Sequence, residues 1–214
     1  ALVSDGRSLV RLADEISLLE RYAAIEQLRL GERLRMSWDL DQAPVDALLT
    51  LRREHGLTAS NVERIVARLP EDGANIVDNR AMPDVNLQYV LAVALLEGTV
   101  SFVDSHSQER MKDRQVLAVK ERVQLIADKT LMDPDAPRSG RVDVTLRDGR
   151  TVSHFTRFPP GTKENPLSTD AVNAKARSLI EPVFGPERTT SIIRVVSTIE
   201  ALSNVRDLRP LLTQ

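Results

Sequence analysis

Apolar residues recur at helical spacing in the first quarter of the chain. Between residues 8 and 34 they lie three or four positions apart, which predicts one or two amphipathic helices whose apolar side needs a partner. Residues 44–55 repeat the pattern, with Pro44 suited to a first helical turn and Gly56 suited to a left-handed helix end. The chain therefore opens with helices.

A second group of helices is predicted in the middle and at the end of the chain. Residues 86–97 are apolar in nearly every direction around a helix, and this is typical of a helix that is buried on all sides. Residues 169–183 and 186–202 give two more helices, with Ser168 and Gly185 at the positions of N-terminal caps.

Shorter stretches of alternating residues predict strands. Residues 62–69 and 121–127 each read as one strand. Residues 141–146 and 151–158 alternate on either side of Asp148–Gly149, and a tight hairpin turn favours glycine where φ is positive. The hairpin is expected to complete a small antiparallel sheet.

The order of these elements predicts an α+β fold, in which a small antiparallel sheet with helices is flanked by helices that belong to an all-α domain. We place a helical segment at 1–37, a lid-like α+β domain at 38–158, and C-terminal helices at 159–214. Because the chain begins at Ala1, inside sequence compatible with a helix, we expect it to be the C-terminal part of a longer protein.

Composition removes several classes of function. The net charge of -2 and a pI near 6.0 give no electrostatic reason to expect nucleic acid as a partner. The absence of cysteine excludes disulfides and thiolate chemistry. No apolar run approaches the roughly 18 residues of a membrane span, and no signal peptide opens the chain, so we expect a cytoplasmic protein without a membrane partner.

The three histidines do not predict a metal site. His55, His106 and His154 are scattered in the sequence, so we do not expect a histidine-rich metal centre. His55 precedes a helix-ending glycine, where a cation complements the helix dipole. The alternation of the hairpin places His154 on its outward side.

Four segments, in order, resemble the MmgE/PrpD family. The most specific is the loop at 161–168, Gly-Thr-Lys-Glu-Asn-Pro-Leu-Ser, which leads into a helix. Residues 45–57 look like the helix that opens the family's α+β domain, 86–98 like its buried central helix, and 199–208 like its closing segment. Together the resemblance covers about 44–212.

The resemblance implies a fold, an activity and an assembly. In this family an α+β lid domain interrupts an all-helical domain, and the C-terminal helices return to the helical part. Members are typically homodimers without a metal or organic cofactor. They dehydrate 2-methylcitrate, decarboxylate cis-aconitate or epimerise iminodisuccinate, reactions that can involve removing a proton beside a carboxylate.

The resemblance also implies a catalytic candidate, Tyr89. It aligns with a tyrosine in the substrate cleft of some relatives, where its phenol could donate a hydrogen bond to a substrate carboxylate or deliver a proton. The alternative is a core tyrosine whose hydroxyl is satisfied by the backbone, as buried tyrosines require.

Substrate-binding candidates lie in the loop before Pro44 and in the loop after the hairpin. Relatives carry a lysine and a histidine in the first loop, and here Arg33 or Arg35 stands near the lysine position and Gln42 at the histidine position. Arginine can grip a carboxylate but cannot serve as a base, and glutamine cannot exchange a proton. Lys163 could meet an anion from the second loop. The alternative is that the arginines are surface charges and that the second loop only redirects the chain.

Two functions follow. The first is an MmgE/PrpD-type lyase or isomerase on a small citrate-like polycarboxylate, similar to 2-methylcitrate dehydratase, of which this chain is the C-terminal part. The whole enzyme would be a hydro-lyase or a related decarboxylase or epimerase. The second is a divergent, non-catalytic relative that acts as a dimerisation or partner-binding module, and the altered loop before Pro44 supports it.

Overall fold

The computed structural model describes residues 42–213, with only the backbone of Gln42. Short 3-10 turns lie between the main elements. In chain order the helices and strands are α1 Gln42–His55, β1 Val62–Leu69, α2 Glu71–Val77, α3 Leu87–Glu97, α4 Phe102–His106, α5 Arg114–Lys120, β2 Val123–Ala127, β3 Gly140–Leu146, β4 Thr151–Thr156, α6 Thr169–Phe184, α7 Pro186–Val196 and α8 Arg209–Leu212.

The four strands form one sheet in the order β2-β1-β3-β4. The pairs β1–β3 and β3–β4 are antiparallel, whereas β1 and β2 run parallel. The α+β class is confirmed, but the sheet is mixed rather than wholly antiparallel. A parallel pair needs a long crossover, and helices α2 to α5 supply it. Alternation of apolar and polar residues along a strand carries no information on the direction of its neighbours. The sequence pattern therefore did not predict the parallel pairing of β1 and β2.

A bulge in β1 explains its irregular apolar spacing. Val62 pairs with Leu146 and Arg64 pairs with Thr145, so Glu63 is an extra residue in the strand. The bulge brings both Val62 and Ile65 to the same buried face, although they are three positions apart. Beyond it the strand alternates normally, with Ala67 and Leu69 buried.

Helix α3 lies at the centre of the core, as its pattern predicted. Its residues from Leu87 to Leu95 are all buried, and it packs against α1, α5 and β2. Gly98 ends the helix in the left-handed conformation, at φ 77°. Beside it the Arg52 guanidinium donates to the Leu95 carbonyl oxygen at 3.1 Å, so a cation of α1 satisfies the C-terminal turn of α3.

The opposite face of the sheet is polar. On it the Asp143 carboxylate accepts hydrogen bonds from Ser153 at 2.6 Å and from Arg141 at 2.9 Å. Phe155 lies on this face as well, because it pairs with Arg141. His154 pairs with the buried Val142 and therefore lies on the inner face. The outward position expected for His154 is wrong, because the register of β4 against β3 places every even-numbered residue of β4 inward.

Beyond β4, the C-terminal helices pack mainly on one another. Ser168 caps α6 by accepting a hydrogen bond from the Ala171 amide, and Gly185 separates α6 from α7, as predicted. Helix α7 ends at Val196 instead of near residue 202, and a 3-10 turn follows. No residue of α6 is fully buried, and an apolar stripe consisting of Val172, Leu179 and Val183 is exposed along it.

The start of α1 is joined closely to the sheet. The Asp46 carboxylate accepts a hydrogen bond from the Thr156 hydroxyl at 2.9 Å, at the end of β4. The ring of Pro44 lies against Gly140, the first residue of β3, where an added Cβ would come within 2.8 Å of Pro44 Cδ. Only glycine fits this contact without movement.

We predict that Gly140→Ala destabilises the fold by about 1–3 kcal/mol, because the new methyl group overpacks the rigid proline ring. Urea denaturation of Gly140→Ala, Pro44→Ala and the double variant measures this. If the ring is the obstacle, Pro44→Ala reduces the cost of Gly140→Ala. An equal cost in both backgrounds would show that the ring is not the cause.

Candidate functional site

Tyr89 sits in the first turn of α3, where Asn86 holds the backbone. The Asn86 side-chain oxygen accepts a hydrogen bond from the Tyr89 amide at 2.9 Å, which makes Asn86 the N-cap of the helix. The amide nitrogen of the same side chain donates to the Arg80 carbonyl oxygen at 2.6 Å. Asn86 and Tyr89 are both completely buried, so the position of the tyrosine backbone is fixed from both sides.

The buried Tyr89 hydroxyl contacts the short helix α4, and its bond to the backbone there is the arrangement that the core-tyrosine alternative describes. There it donates a hydrogen bond to the backbone carbonyl oxygen of Asp104. Burial raises the pKa of the Tyr89 phenol, the negative charge of Asp104 raises it further, and the positive charge of Arg110 opposes both. The phenol is therefore neutral at physiological pH and acts as a hydrogen-bond donor.

Arg110, whose positive charge acts on the Tyr89 phenol, is itself paired with carboxylates. Arg110 forms ion pairs with Glu97 and with Asp113, the latter at 3.3 Å. Asp113 also caps α5 through its contacts to the Gln115 and Val116 amides, and these backbone hydrogen bonds lower the pKa of its carboxyl group. The cation near Tyr89 is thus already balanced by two carboxylates of this chain.

The remaining candidates either make no hydrogen bond with Tyr89 or lie outside the described residues. Lys163 is exposed in the loop after β4, and no hydrogen bond among residues 42–213 joins it to Tyr89. Gln42 is the first residue of α1, and its side chain is not described. Arg33 and Arg35 lie outside the described residues. Their roles stay predictions.

The loop that carries Lys163 is closed by its own backbone. The Gly161 amide donates to the Asn165 carbonyl oxygen at 2.8 Å, and the Asn165 side chain donates to the Phe158 carbonyl oxygen at 2.9 Å. Asn165 is therefore a structural residue of the loop, which leads directly to the Ser168 cap.

Sequence reasoning missed the residues that hold Tyr89. Asn86 before an apolar run is a recognisable N-cap signal. The pair Ser101 and Asp104 has the spacing of a capping box, in which residues three apart bond reciprocally. Nothing in the sequence shows that α4 meets the Tyr89 hydroxyl, because the two residues are brought together only by folding.

Other features of the described residues give no further site. Among them no three histidine, aspartate or glutamate side chains cluster in a way that could hold a metal ion. No described helix is both long and apolar enough to cross a membrane. A shallow depression at the turn between α6 and α7 contains Arg188, but this side chain is bonded to carbonyl oxygens of the C-terminal turn.

The fold and the site define an α+β domain built around a buried helix, followed by a helical tail. Residues 40–201 match the model of the MmgE/PrpD C-terminal domain. The chain belongs to the MmgE/PrpD family, as its motifs predicted.

Two curated relatives are similar to most of this chain. Cis-aconitate decarboxylase of Mus musculus is 30% identical over 165 residues, which cover 72% of this chain and 32% of that protein. The cis-aconitate decarboxylase-like protein oryM of Aspergillus oryzae is 25% identical over 190 residues, covering 87% of this chain and 38% of that protein. This chain therefore matches only about a third of the length of each relative.

We predict that Asn86→Ala destabilises the fold by about 1–3 kcal/mol, because it removes a fully buried N-cap and the hydrogen bond to the Arg80 carbonyl oxygen. Asn86→Ser keeps a neutral capping oxygen but loses the amide donor, so its cost should be smaller. Urea denaturation of both variants measures the difference. Equal stability of Asn86→Ala and the natural protein would contradict the role assigned to the cap.

Proposed function

We propose that this chain is the C-terminal part of an MmgE/PrpD-type lyase or isomerase acting on a small citrate-like polycarboxylate. The match of residues 40–201 to the family's C-terminal domain carries the proposal. One of the two relatives is a cis-aconitate decarboxylase, and the other is named as similar to one. Unsaturated tricarboxylates are therefore the first substrates to test. In this proposal other groups of the whole enzyme complete the site, since the matched part spans only about a third of each relative.

In this proposal Tyr89 is the catalytic residue of the chain. Loss of carbon dioxide from such an acid breaks a carbon–carbon bond and leaves an electron pair that a proton must take up. Dehydration and epimerisation likewise develop negative charge beside a carboxylate. A neutral phenol can donate a hydrogen bond to that charge or deliver the proton, and the raised pKa of Tyr89 keeps its proton in place.

The substrate carboxylates need cationic partners. Arg33, Arg35 and Lys163 are the proposed ones, with Gln42 as a neutral hydrogen-bonding partner. Arginine holds a carboxylate through two parallel hydrogen bonds, which fixes its orientation as well as its charge. These residues would bind the substrate. Proton transfer would be carried out by Tyr89 and by other groups of the enzyme. A homodimer in the cytoplasm is the proposed assembly and location.

One observation favours the second function, a non-catalytic partner-binding or dimerisation module. Within the described part of the chain, the apolar stripe of α6 is exposed. It consists of Val172, Leu179 and Val183. Exposed apolar surface of this kind is typical of a contact with another chain or domain. Ligand binding separates the two functions.

The protein should be studied at the length its natural source produces, as established by intact mass. We predict that a citrate-like polycarboxylate raises its melting temperature, because a ligand at 100 times its Kd stabilises the fold by about 2.7 kcal/mol. Thermal shift with citrate, 2-methylcitrate and cis-aconitate measures this, with a monocarboxylate as the control. If none of the three acids has an effect, the partner-binding function is favoured.

We further predict that Tyr89→Phe lowers kcat on the active acid by at least about 100-fold while the melting temperature changes little. Removing one hydroxyl leaves the apolar packing of the ring intact. Tyr22→Phe, which changes the other tyrosine in the same way, is the matched control. Equal turnover by Tyr89→Phe and the natural enzyme would show that Tyr89 is a packing residue of the core and has no catalytic role.

A further inference from the structure

The short helix α4 is held by a reciprocal cap at its first turn. The Ser101 hydroxyl oxygen accepts a hydrogen bond from the Asp104 amide at 3.1 Å and donates one to the Asp104 carboxylate at 2.5 Å. A helix of five residues has little stability of its own, so its ends decide whether it forms. Ser101 therefore fixes the backbone of Asp104.

The backbone fixed in this way is the one that Tyr89 contacts. The carbonyl oxygen of Asp104 accepts the Tyr89 hydroxyl proton, and it also accepts the Ser107 amide at 3.3 Å. With both of its lone pairs used, this oxygen is held in one place. The direction of the Tyr89 hydroxyl thus depends on a cap that Tyr89 itself does not touch.

The charges around the hydroxyl are arranged by the same segment. Asp104 carries its carboxylate at the cap, and Arg110 follows six residues later with its partners Glu97 and Asp113. His106 is turned back onto its own helix, with Nδ1 2.9 Å from the Phe102 carbonyl oxygen and its ring stacked on Phe102 at 4.1 Å. Movement of α4 would change the surroundings of the phenol and its hydrogen bond together.

We propose that Ser101 is a positioning residue for Tyr89, acting through the cap that fixes the Asp104 carbonyl oxygen. The inference rests on the proposed function, since it concerns how the catalytic phenol is aimed. In the structure the hydroxyl proton is directed at this carbonyl oxygen. A substrate carboxylate that binds the Tyr89 hydroxyl would have to replace the Asp104 carbonyl oxygen as its acceptor. The Ser101 cap determines how readily α4 moves to allow this exchange.

The experiment follows the Tyr89 phenol directly. Protein labelled with carbon-13 at the tyrosine ring carbon that bears the hydroxyl is titrated with base, and the Tyr89 signal is identified by its loss in Tyr89→Phe. We expect Ser101→Ala to lower the titration midpoint of Tyr89, because a phenol that donates to a fixed acceptor holds its proton more tightly. Hydrogen exchange of the α4 amides should rise about fivefold.

Two variants control the result. Ser101→Thr keeps a capping hydroxyl and should retain the midpoint of the natural protein. Ser168→Ala removes a serine cap from α6 and should leave Tyr89 unchanged. If Ser101→Ala does not fold, Ser101→Gly gives the same comparison, because glycine is tolerated at an N-cap while lacking the hydroxyl.

The proposal is overturned if Ser101→Ala speeds exchange in α4 but leaves the Tyr89 midpoint where it is in Ser168→Ala. The cap would then stabilise the helix without positioning the phenol. Failure of the proposed function is detected by a different measurement, the turnover of Tyr89→Phe. Full activity of that variant would exclude a catalytic role for Tyr89 without changing the result of the titration.

Discussion

The burial of helix α3 is the constraint on which the rest of the described structure depends. A helix that is apolar on every side can exist in water only if other elements enclose it, and α1, α5 and the inner face of the sheet do so. Each buried leucine or valine of α3 contributes about 1.5–3 kcal/mol by leaving water. The polar groups of the helix must therefore be satisfied at its two ends.

Each end of α3 is satisfied by a different device, and each device fixes a neighbouring segment. At the C-terminal end Arg52 of α1 bonds the Leu95 carbonyl oxygen beside Gly98. At the N-terminal end Asn86 caps the helix and holds the Arg80 carbonyl oxygen. The Tyr89 hydroxyl is the one side-chain polar group of the first turn that points toward α4, and it binds the Asp104 carbonyl oxygen. Packing and the candidate chemistry are thus consequences of the same burial.

Burial also shapes what Tyr89 can do. A phenol removed from water, with a carboxylate nearby, holds its proton more firmly than a phenol in solution. This makes it a donor rather than a base. The sheet contributes little to this directly, because its outer face is a surface of ion pairs such as Arg141–Asp143. Its role is to provide the wall against which α1 and α3 are packed.

The sequence by itself determined the elements and the family. The 3.6-residue spacing located α1, α3, α6 and α7, glycines and caps marked their ends, and alternation located the four strands, because each of these signals is local. The motifs from residue 45 onwards also identified the family, and the tyrosine at 89 as its candidate residue.

Only the tertiary structure decided how these elements meet. The parallel pairing of β1 with β2, the inward side of His154 and the bulge at Glu63 depend on register between distant strands. The contact of Tyr89 with Asp104 likewise joins residues 15 positions apart in different helices. A sequence pattern records which side of an element is apolar, whereas strand direction, register and side-chain partners are set by the packing of the whole core.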